Sequence, residues 1–298
     1  MIIMKSNSLQ INNQKFEWGS RTYVMGILNI TPDSFSGDGL HAEGDPVKSA
    51  LAQARKFVNA GVDLLDVGGE STRPGSEPVG AAYEKARVLP VIKALAAEFD
   101  TPISIDTYKA EVAEAALEAG AHMINDVWGL QADPKMAALA ARKKVPVILM
   151  HNRSNPKSAE VQERLGGRYI GVDYINLIED IKSELLHSVE IAKNAGIPEE
   201  HIILDPGIGF GKTVEQNLEL LNRGDEIRAL GYPLLVGPSR KSFIGYTLDL
   251  PPDQRAEGTA AAVSVAIMRG ADIVRVHDVE MIVRTARMTD AITRPKLG

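Results

Sequence analysis

The sequence predicts an α/β protein, a (β/α)8 TIM barrel preceded by a short N-terminal extension. Eight short aliphatic runs recur along the chain, and a segment with helical periodicity follows each of them. Most of the aliphatic runs end in a group of polar residues. Parallel strands covered on both faces are aliphatic throughout, and in a barrel their carboxyl ends meet on one rim, where active sites lie. The pattern therefore indicates an enzyme.

The length of the chain fits one barrel. It has 298 residues, of which 44% are hydrophobic, and a (β/α)8 barrel takes about 250 residues. We expect residues 1–20 to form the extension, in which a short hairpin from Leu9 to Trp18 would plug the bottom of the barrel. Residues 21–298 would then form a single domain.

Each predicted strand is a short aliphatic run without interruption. In order, the predicted strands cover Tyr23–Leu28, Leu64–Val67, Ile103–Ile105, Met123–Ile124, Val147–Met150, Ile202–Leu204, Leu234–Val236 and Ile273–Val276. An open, doubly wound sheet is the alternative fold, but it does not need eight units and usually carries a Gly-x-Gly-x-x-Gly turn after its first strand. Here the first strand leads into Asn29-Ile30-Thr31-Pro32 instead.

Segments with helical periodicity separate the strands. The predicted helices cover Pro46–Ala60, Ala81–Glu98, Ala110–Ala119, Lys135–Lys143, Tyr174–Ala195, Val214–Arg223, Gly258–Met268 and Val279–Thr293. Glycine follows several of these segments shortly before the next strand, at Gly61, Gly120, Gly196 and Gly270. Because glycine readily adopts the left-handed conformation that ends many helices, these positions are predicted helix ends.

Composition narrows the class of protein. A net charge of −6 argues against general nucleic-acid binding, which needs a basic surface. The chain has no cysteine, so it has neither disulfides nor thiolate sites, as is usual in the cytoplasm. No run approaches the roughly 18 apolar residues of a membrane span, and no signal-peptide pattern is present. We expect a cytoplasmic protein that binds neither nucleic acid nor membranes.

Three connections on the predicted rim are long and rich in glycine, proline, serine or asparagine. They cover residues 29–45, 68–80 and 151–172. Loops of this kind on a barrel rim typically cover a substrate. The alternative is that they are exposed connectors, and this alternative is strongest for residues 151–172.

Positive charge is concentrated after the last two strands. Arg240 and Lys241 follow the seventh strand, and Arg275 and His277 end the eighth. The loops after these strands form the common phosphate site of TIM barrels, and arginine offers paired donors that suit phosphate oxygens. Each residue alone could be a surface cation or a member of an ion pair, but the cluster favours an anion site.

Carboxylate and amide residues end the third, fourth and sixth strands, and we expect them to point into the barrel mouth. They are Asp106, Asn125, Asp126 and Asp205, and the apolar residues expected to border the mouth are Ile148, Met150 and Phe210. Buried carboxylates must be paired or hydrogen-bonded. They could form a salt-bridge network with Lys241 and Arg275, or they could recognise a ligand that presents several N–H donors. A metal site built from these carboxylates is less favoured, since no His-x-x-x-His or Asp-x-Asp spacing occurs.

Seven motifs, spread over residues 22–290, resemble those of dihydropteroate synthases. They are Met25–Ser36, Gly68–Gly75, Ser104–Thr107, Ile124–Asp126, Leu204–Phe210, Ser239–Phe243 and Arg275–Val279. The resemblance implies a (β/α)8 barrel, usually a homodimer, that acts in tetrahydrofolate biosynthesis and is the target of sulfonamides. Such a transferase joins 6-hydroxymethyl-7,8-dihydropterin diphosphate to p-aminobenzoate and releases dihydropteroate and diphosphate, with Mg2+ as cofactor.

The resemblance also implies roles in pterin binding. Asp205 would meet the N–H edge of the pterin, with Asn125 and Asp106 in the polar wall, while Lys241 donates to ring acceptors and Arg275 covers the ring face. The other pterin-side residues would be Asp126, Ile148 and Met150.

For the diphosphate and Mg2+, the resemblance implies Asn29 as metal ligand, with Thr72, Arg275 and His277 around the diphosphate. The p-aminobenzoate would lie beside Thr72, Arg73, Pro74, Phe210, Lys241 and Ser242. The catalytic residues would be Asp106, Lys241, Arg275 and His277.

The chemistry implied by the resemblance is a dissociative, SN1-like substitution. Positive charge would develop on the pterin, stabilised by Asp106, and negative charge on the leaving diphosphate, stabilised by Arg275, His277 and metal. Two other functions are considered: a pterin-binding methyltransferase domain and a catalytically silent paralogue. The first needs neither a diphosphate site nor an aminobenzoate pocket, and the second usually loses rim residues that this chain retains.

Overall fold

Two hairpins and a barrel of eight parallel strands make up the sheet structure of the described residues. The computed structural model describes residues 4–30, 45–71, 78–155 and 158–294. Its strands are β1 (Ser8–Ile11), β2 (Gln14–Glu17), β3 (Tyr23–Asn29), β4 (Leu64–Gly68), β5 (Ile103–Asp106), β6 (Met123–Asp126), β7 (Val147–Met150), β8 (Ala159–Gln162), β9 (Gly166–Tyr169), β10 (Ile202–Asp205), β11 (Leu235–Val236) and β12 (Ile273–Val276).

Helices connect the barrel strands. They are α1 (Pro46–Ala60), α2 (Ala81–Glu98), α3 (Ala110–Glu118), α4 (Met136–Lys143), α5 (Leu177–Asn194), α6 (Val214–Asn222), α7 (Gly224–Arg228), α8 (Ser242–Leu248), α9 (Ala256–Met268) and α10 (Val279–Thr293). In the parts of the chain that the structure describes, no helix is long and apolar enough to span a membrane.

The barrel strands lie in the order β10-β7-β6-β5-β4-β3-β12-β11, and all the neighbours are parallel. A parallel bridge between Leu204 on β10 and Leu234, just before β11, brings the two ends of this sheet together. The predicted (β/α)8 barrel is therefore confirmed, and every predicted barrel strand overlaps an observed one.

The helix predictions were accurate at most ends. The bounds of α1, α2 and α10 match the predictions, and Gly61, Gly120, Gly196 and Gly270 all have positive φ as expected. The predicted start of α5 at Tyr174 was wrong: α5 begins at Leu177, because the side chain of Asn176 caps it by accepting a bond from the Glu179 N–H at 3.3 Å. The short helices α7 and α8 were not predicted.

The connection after β7 contains an unexpected antiparallel hairpin, β8–β9. It lies within residues 151–172, which were predicted only as a rim loop. Its sequence from Ala159 to Tyr169 is polar and glycine-containing, so it lacks the apolar alternation by which strands are found.

The N-terminal hairpin closes the bottom of the barrel. Leu9, Ile11, Phe16 and Trp18 pack with the apolar side chains that the barrel strands point inward, and Phe16 is 1% exposed. Ring centroids of Phe16 and Tyr23 lie 4.7 Å apart. The expectation of a plug is confirmed: the hairpin helps to fill the lower barrel interior with apolar side chains, and polar side chains of the strands gather at the opposite rim.

We predict that Phe16→Ala lowers the free energy of unfolding by about 3–5 kcal/mol, because it removes a fully buried aromatic ring and leaves a cavity. Chemical denaturation monitored by circular dichroism measures this. Lys15→Ala, on the exposed face of the same strand, is the matched control and should have a much smaller effect. Equal losses for both variants would show that the hairpin does not complete the barrel core.

Candidate active site

Strand alternation selects which polar residues enter the barrel mouth. Side chains two residues apart on a strand share a face. The residue two positions after each apolar interior residue therefore also points inward. Above the plugged interior they are Asn29, Asp66, Asp106, Asn125, Asp205 and Arg275. The polar layer therefore comes from six different strands, which converge as predicted.

Arg275 holds the centre of this layer. Its Nε donates to Asp66 Oδ2 at 2.6 Å, and its Nη2 donates to Asp106 Oδ2 at 2.5 Å. Asn125 Nδ2 donates to the same Asp66 oxygen at 3.1 Å. Asp66 is fully buried, and its Oδ1 has no hydrogen-bond partner among the described residues. The salt-bridge network considered as one alternative is thus present for Asp106.

Burial raises the pKa of Asp106 to about 7, while the positive charge of Arg275 opposes this rise. The carboxylate lies on the rim next to Gly68, where a Cβ atom would be 3.6 Å from Asp106 Oδ2 and 3.8 Å from Asn29 Oδ1. The side chains of Asn29 and Asp106 therefore flank one glycine, and both present oxygen atoms at the mouth.

Asp205 and Lys241 form the second charged group of the mouth. Asp205 is 6% exposed, and its Oδ1 accepts a bond from the Gly207 N–H at 2.7 Å. Burial raises the pKa of Asp205, against the opposing charge of Lys241. Burial likewise lowers the pKa of Lys241 to about 8, which the charge of Asp205 opposes. The two residues therefore support each other's ionisation.

Lys241 is also positioned by the loop after β10. Its Nζ donates to the Ile208 carbonyl and lies 4.5 Å from the centre of the Phe210 ring. Gly209 has a φ of +84°, and a Cβ there would be 2.8 Å from Lys241 Cδ. Only glycine leaves room for the lysine stem at this point, which explains the Gly-Ile-Gly sequence.

Phe210 is covered by the unpredicted hairpin. The Tyr169 ring on β9 stacks on it with centroids 6.3 Å apart. Ser242, the first residue of α8, lines a cavity of about 340 Å³ beside this hairpin. Met150 lies opposite Asp205 in strand register, and Ile148 lies one layer deeper, in the apolar interior. These positions form a partly apolar wall and floor next to the charged groups.

His277 lies at the end of β12 in contact with Ser239. The Ser239 hydroxyl lies 3.0 Å from His277 Nδ1, and its oxygen accepts a bond from the His277 N–H at 3.1 Å. These two contacts fix the position of the imidazole beside the arginine.

Two expectations about the site were wrong. Asp126 does not point into the mouth, because it follows the inward-facing Asn125, and its carboxylate accepts bonds of 2.9 Å from the N–H groups of Trp128 and Leu130. Arg240 does not join an anion site, because its guanidinium binds both carboxylate oxygens of Asp278, at 2.9 and 2.5 Å. Both residues hold loops in place. The predicted substrate residues Thr72, Arg73 and Pro74 lie outside the described residues.

Two residues of the site were missed. Asp66 ends an aliphatic run and could have been found by counting two residues back from Gly68 along the inward face of the strand. Lys212 is buried behind the loop after β10, and its sequence context of Phe-Gly-Lys-Thr carries no signal of burial.

The site offers acceptors, forked cation donors and little metal-binding capacity of its own. Within the described part of the chain, no group of three or more His, Asp or Glu side chains could hold a metal ion. The amide oxygen of Asn29 is a hard ligand suited to Mg2+, which usually takes one or two protein ligands together with phosphates and water. The residues therefore fit a magnesium ion that is bound mainly by a phosphorylated substrate.

Comparison with known proteins gives consistent matches along the whole chain. The family model described as pterin binding enzyme matches residues 25–277. The chain is 50% identical to a dihydropteroate synthase of Clostridium beijerinckii over 287 residues, which are 96% of this chain and 100% of the relative.

Solved structures agree. The structure of a dihydropteroate synthase from Clostridium difficile in the presence of pteroic acid has a TM-score of 0.84 at 48% identity and covers 94% of this chain and 99% of that one. A Yersinia pestis dihydropteroate synthase in a sulfonamide drug complex has a TM-score of 0.86 at 41% identity and covers 97% of this chain and 100% of that one.

We predict that Arg275→Met destabilises the fold by about 3–5 kcal/mol at neutral pH, because two carboxylates stay buried without their cation. Asp106 then takes up a proton more readily in the folded state. A group whose pKa is raised on folding stabilises the protein below that pKa. Because Asp106 of the parent is itself protonated below a pKa of about 7, the loss should be largest above pH 7, shrink as the pH falls towards 7 and stay constant below it.

Urea unfolding of the variant and the parent at several pH values measures this effect. Arg284→Met, which breaks the exposed pair with Glu280, is the matched control and should leave stability unchanged at every pH. A loss for Arg275→Met that is independent of pH would contradict the assigned charge network.

Proposed function

The chain belongs to the pterin-binding enzymes and, within them, to the dihydropteroate synthases, and we propose that it condenses (7,8-dihydropterin-6-yl)methyl diphosphate with p-aminobenzoate. The products would be 7,8-dihydropteroate and diphosphate. The protein is accordingly a transferase of folate biosynthesis. The observation that carries this assignment at the residue level is the charged layer of the mouth, in which acceptors and cations alternate around Arg275.

The acceptors suit the pterin. Its ring presents several N–H donors on one edge, and ionised Asp205 at the end of β10 is an acceptor only. Lys241, held over Phe210, would donate to the ring's oxygen or nitrogen, while Asn125 and Asp106 complete the wall. Met150 and Ile148 would contact the flat apolar surface of the ring.

The cations suit the leaving group. Arg275 on β12 and His277, just beyond the end of that strand, lie beside β3, whose last residue is Asn29, and would receive the diphosphate with its Mg2+. Bound Mg2+ would neutralise charge on the diphosphate oxygens. Asn29 is the side chain that would hold the ion.

The reaction would proceed by departure of diphosphate before the amine attacks. The carboxylates of the mouth, with Asp106 among them, would lie close to the pterin as it becomes positive. Charges fixed before the reaction stabilise such a transition state without reorganisation. An arylamine is unprotonated near neutral pH, so no general base is required. The p-aminobenzoate would lie beside Phe210, Lys241 and Ser242, with Thr72, Arg73 and Pro74 as further predicted contacts.

The sulfonamide complex of the Yersinia pestis relative supports the proposal that sulfonamides also bind this chain. The two alternatives, a methyltransferase domain and a silent paralogue, find less support, since the Clostridium beijerinckii relative, which matches 96% of this chain, is a dihydropteroate synthase. The cytoplasmic location stays a prediction from composition.

The reaction is tested by following diphosphate release and dihydropteroate formation together, with Mg2+ and the dihydropterin diphosphate, with and without p-aminobenzoate. We expect one dihydropteroate for each diphosphate released in its presence. Pterin binding without coupled product would instead support one of the two alternatives.

We predict that Asp106→Asn lowers kcat roughly 100- to 1,000-fold, as removal of one preorganised charge stabiliser typically does. The same coupled assay measures it, after circular dichroism has shown that the variant is folded. Asp100→Asn, an exposed position beside the N-terminal hairpin at the opposite end of the barrel, is the matched control and should keep the parent rate. Near-normal turnover of Asp106→Asn would remove Asp106 from the mechanism.

We also propose a homodimer formed through α9 and α10. Thr289 on α10 contacts Ser264 on α9 at 3.3 Å, and the neighbouring apolar side chains Val265, Met268, Met288 and Ile292 are 39–67% exposed. Exposed apolar patches of this kind usually mark contacts with another chain. Light scattering should give the mass of two chains for the parent and of one for Met268→Glu/Ile292→Glu, whereas a dimeric double variant would place the interface elsewhere.

A further inference from the structure

Lys212 is a buried lysine that the reaction described above does not use. It is 3% exposed and follows the loop from Asp205 to Phe210. Its Nζ donates to the carbonyl oxygens of Gly207 at 2.9 Å and Phe210 at 3.0 Å, so it bonds to the same loop twice from behind.

The third neighbour of the ammonium group is His151. Lys212 Nζ lies 3.0 Å from His151 Nδ1, and His151 Nε2 lies 3.0 Å from a carboxylate oxygen of Glu184. A lysine ammonium has three hydrogens and no acceptor site, so three acceptors around Nζ satisfy it completely. This requires a neutral imidazole with its proton on Nε2.

The surrounding charges agree with a neutral histidine. Burial and the nearby Lys212 lower the pKa of His151 to about 4. Burial lowers the pKa of Lys212 to about 7, while the charges of Asp205 and Glu184 oppose this change, and those of Lys241 and Arg153 reinforce it.

Further contacts confine the loop that Lys212 holds. Gly207 has a φ of +70°, and a Cβ there would be 1.9 Å from the His151 carbonyl oxygen. The Gly209 N–H donates to Asn217 Oδ1 at 2.6 Å. The loop is thus pressed against β7 and tied to α6, and Lys212 occupies the space between.

Both residues that the loop presents to the substrates depend on these contacts. Gly207 accepts a bond from Lys212 at its carbonyl and donates its N–H to Asp205 Oδ1 at 2.7 Å. The Phe210 carbonyl, also bound to Lys212, belongs to the residue whose ring lies under Lys241. A movement of Lys212 would therefore shift the Asp205 carboxylate, which would bind the pterin, and the Phe210 ring together.

We infer that Lys212 is a positioning residue for the synthase reaction, which sets the place of Asp205 and Phe210 by holding the Gly207 and Phe210 carbonyls. The inference rests on the proposed function. It also explains why a lysine rather than an apolar residue fills a fully buried position: an apolar side chain would leave two buried carbonyls without a donor.

The test compares KM and kcat/KM of the Lys212→Met variant with those of the parent. This substitution removes all three N–H donors at nearly constant side-chain volume. We expect KM for the dihydropterin diphosphate to rise at least tenfold and kcat/KM to fall about 100-fold, the order of loss that a misplaced substrate contact causes. Lys193→Met, at an exposed position at the end of α5, should keep the parent constants.

A lysine with only a structural role would act differently. Its replacement would lower the melting temperature and the amount of active enzyme and leave KM unchanged. That result would overturn the inference. Lys212→Gln, which retains an amide N–H donor, should raise KM less than Lys212→Met does. If Lys212→Met does not fold, Lys212→Gln decides alone: a raised KM supports the inference, and a parental KM overturns it.

The measurement separates this inference from the proposed function. Turnover of the parent enzyme tests the function, and the variant-to-parent ratio tests Lys212. If the parent forms no dihydropteroate, calorimetric titration with the dihydropterin diphosphate replaces kinetics. A tenfold weaker Kd in Lys212→Met then still supports the role of Lys212, and an equal Kd contradicts it.

Discussion

The arrangement of the mouth depends on one buried guanidinium. Arg275 comes from the last barrel strand and reaches Asp66 and Asp106, which stand on the second and third barrel strands. Removing three charges from water is costly unless each has a partner in good geometry. The positions of the two carboxylates and of the Asn125 amide are consequently set with reference to Arg275, and the strands between them must keep their register for the array to form.

Sequence alone was sufficient for the barrel and for most of the charged layer. Aliphatic runs and glycine helix ends mark units that repeat, and a parallel barrel gathers whatever follows its strands on one rim. What failed was the direction of individual side chains. Asn125 and Asp126 are neighbours on one strand, so they point to opposite sides, and a list of polar residues at strand ends does not separate them. The same omission hid Asp66, whose place in the mouth follows from strand alternation.

Loops were less predictable for a different reason. The hairpin β8–β9 is stabilised by contacts with distant residues, such as the bond between Arg255 and the Leu165 carbonyl and the stacking of Tyr169 on Phe210. Arg240 was assigned by charge and sequence position, whereas its partner Asp278 lies far along the chain. From the sequence, Lys212 looks like an ordinary loop lysine. Only the structure shows that it lies behind the loop and donates to two of its carbonyls. The hairpin and Arg240 depend on contacts that are distant in sequence, and Lys212 depends on how the loop folds around it. No periodic pattern in the sequence marks any of these contacts.

The plug at the bottom of the barrel has a consequence for the order of folding. The hairpin precedes every barrel strand in the sequence, yet its apolar side chains pack on residues from strands as far along as Ile273. Contacts between such distant parts of a chain form late, because long loops must close first. During synthesis the burial of Phe16 and Trp18 can therefore be completed only after β12 has been made, and it reports that this strand has taken its place. A ribosome-bound chain, or one truncated before β12, would expose the apolar side chains of the hairpin to chaperones, whereas the folded barrel buries them.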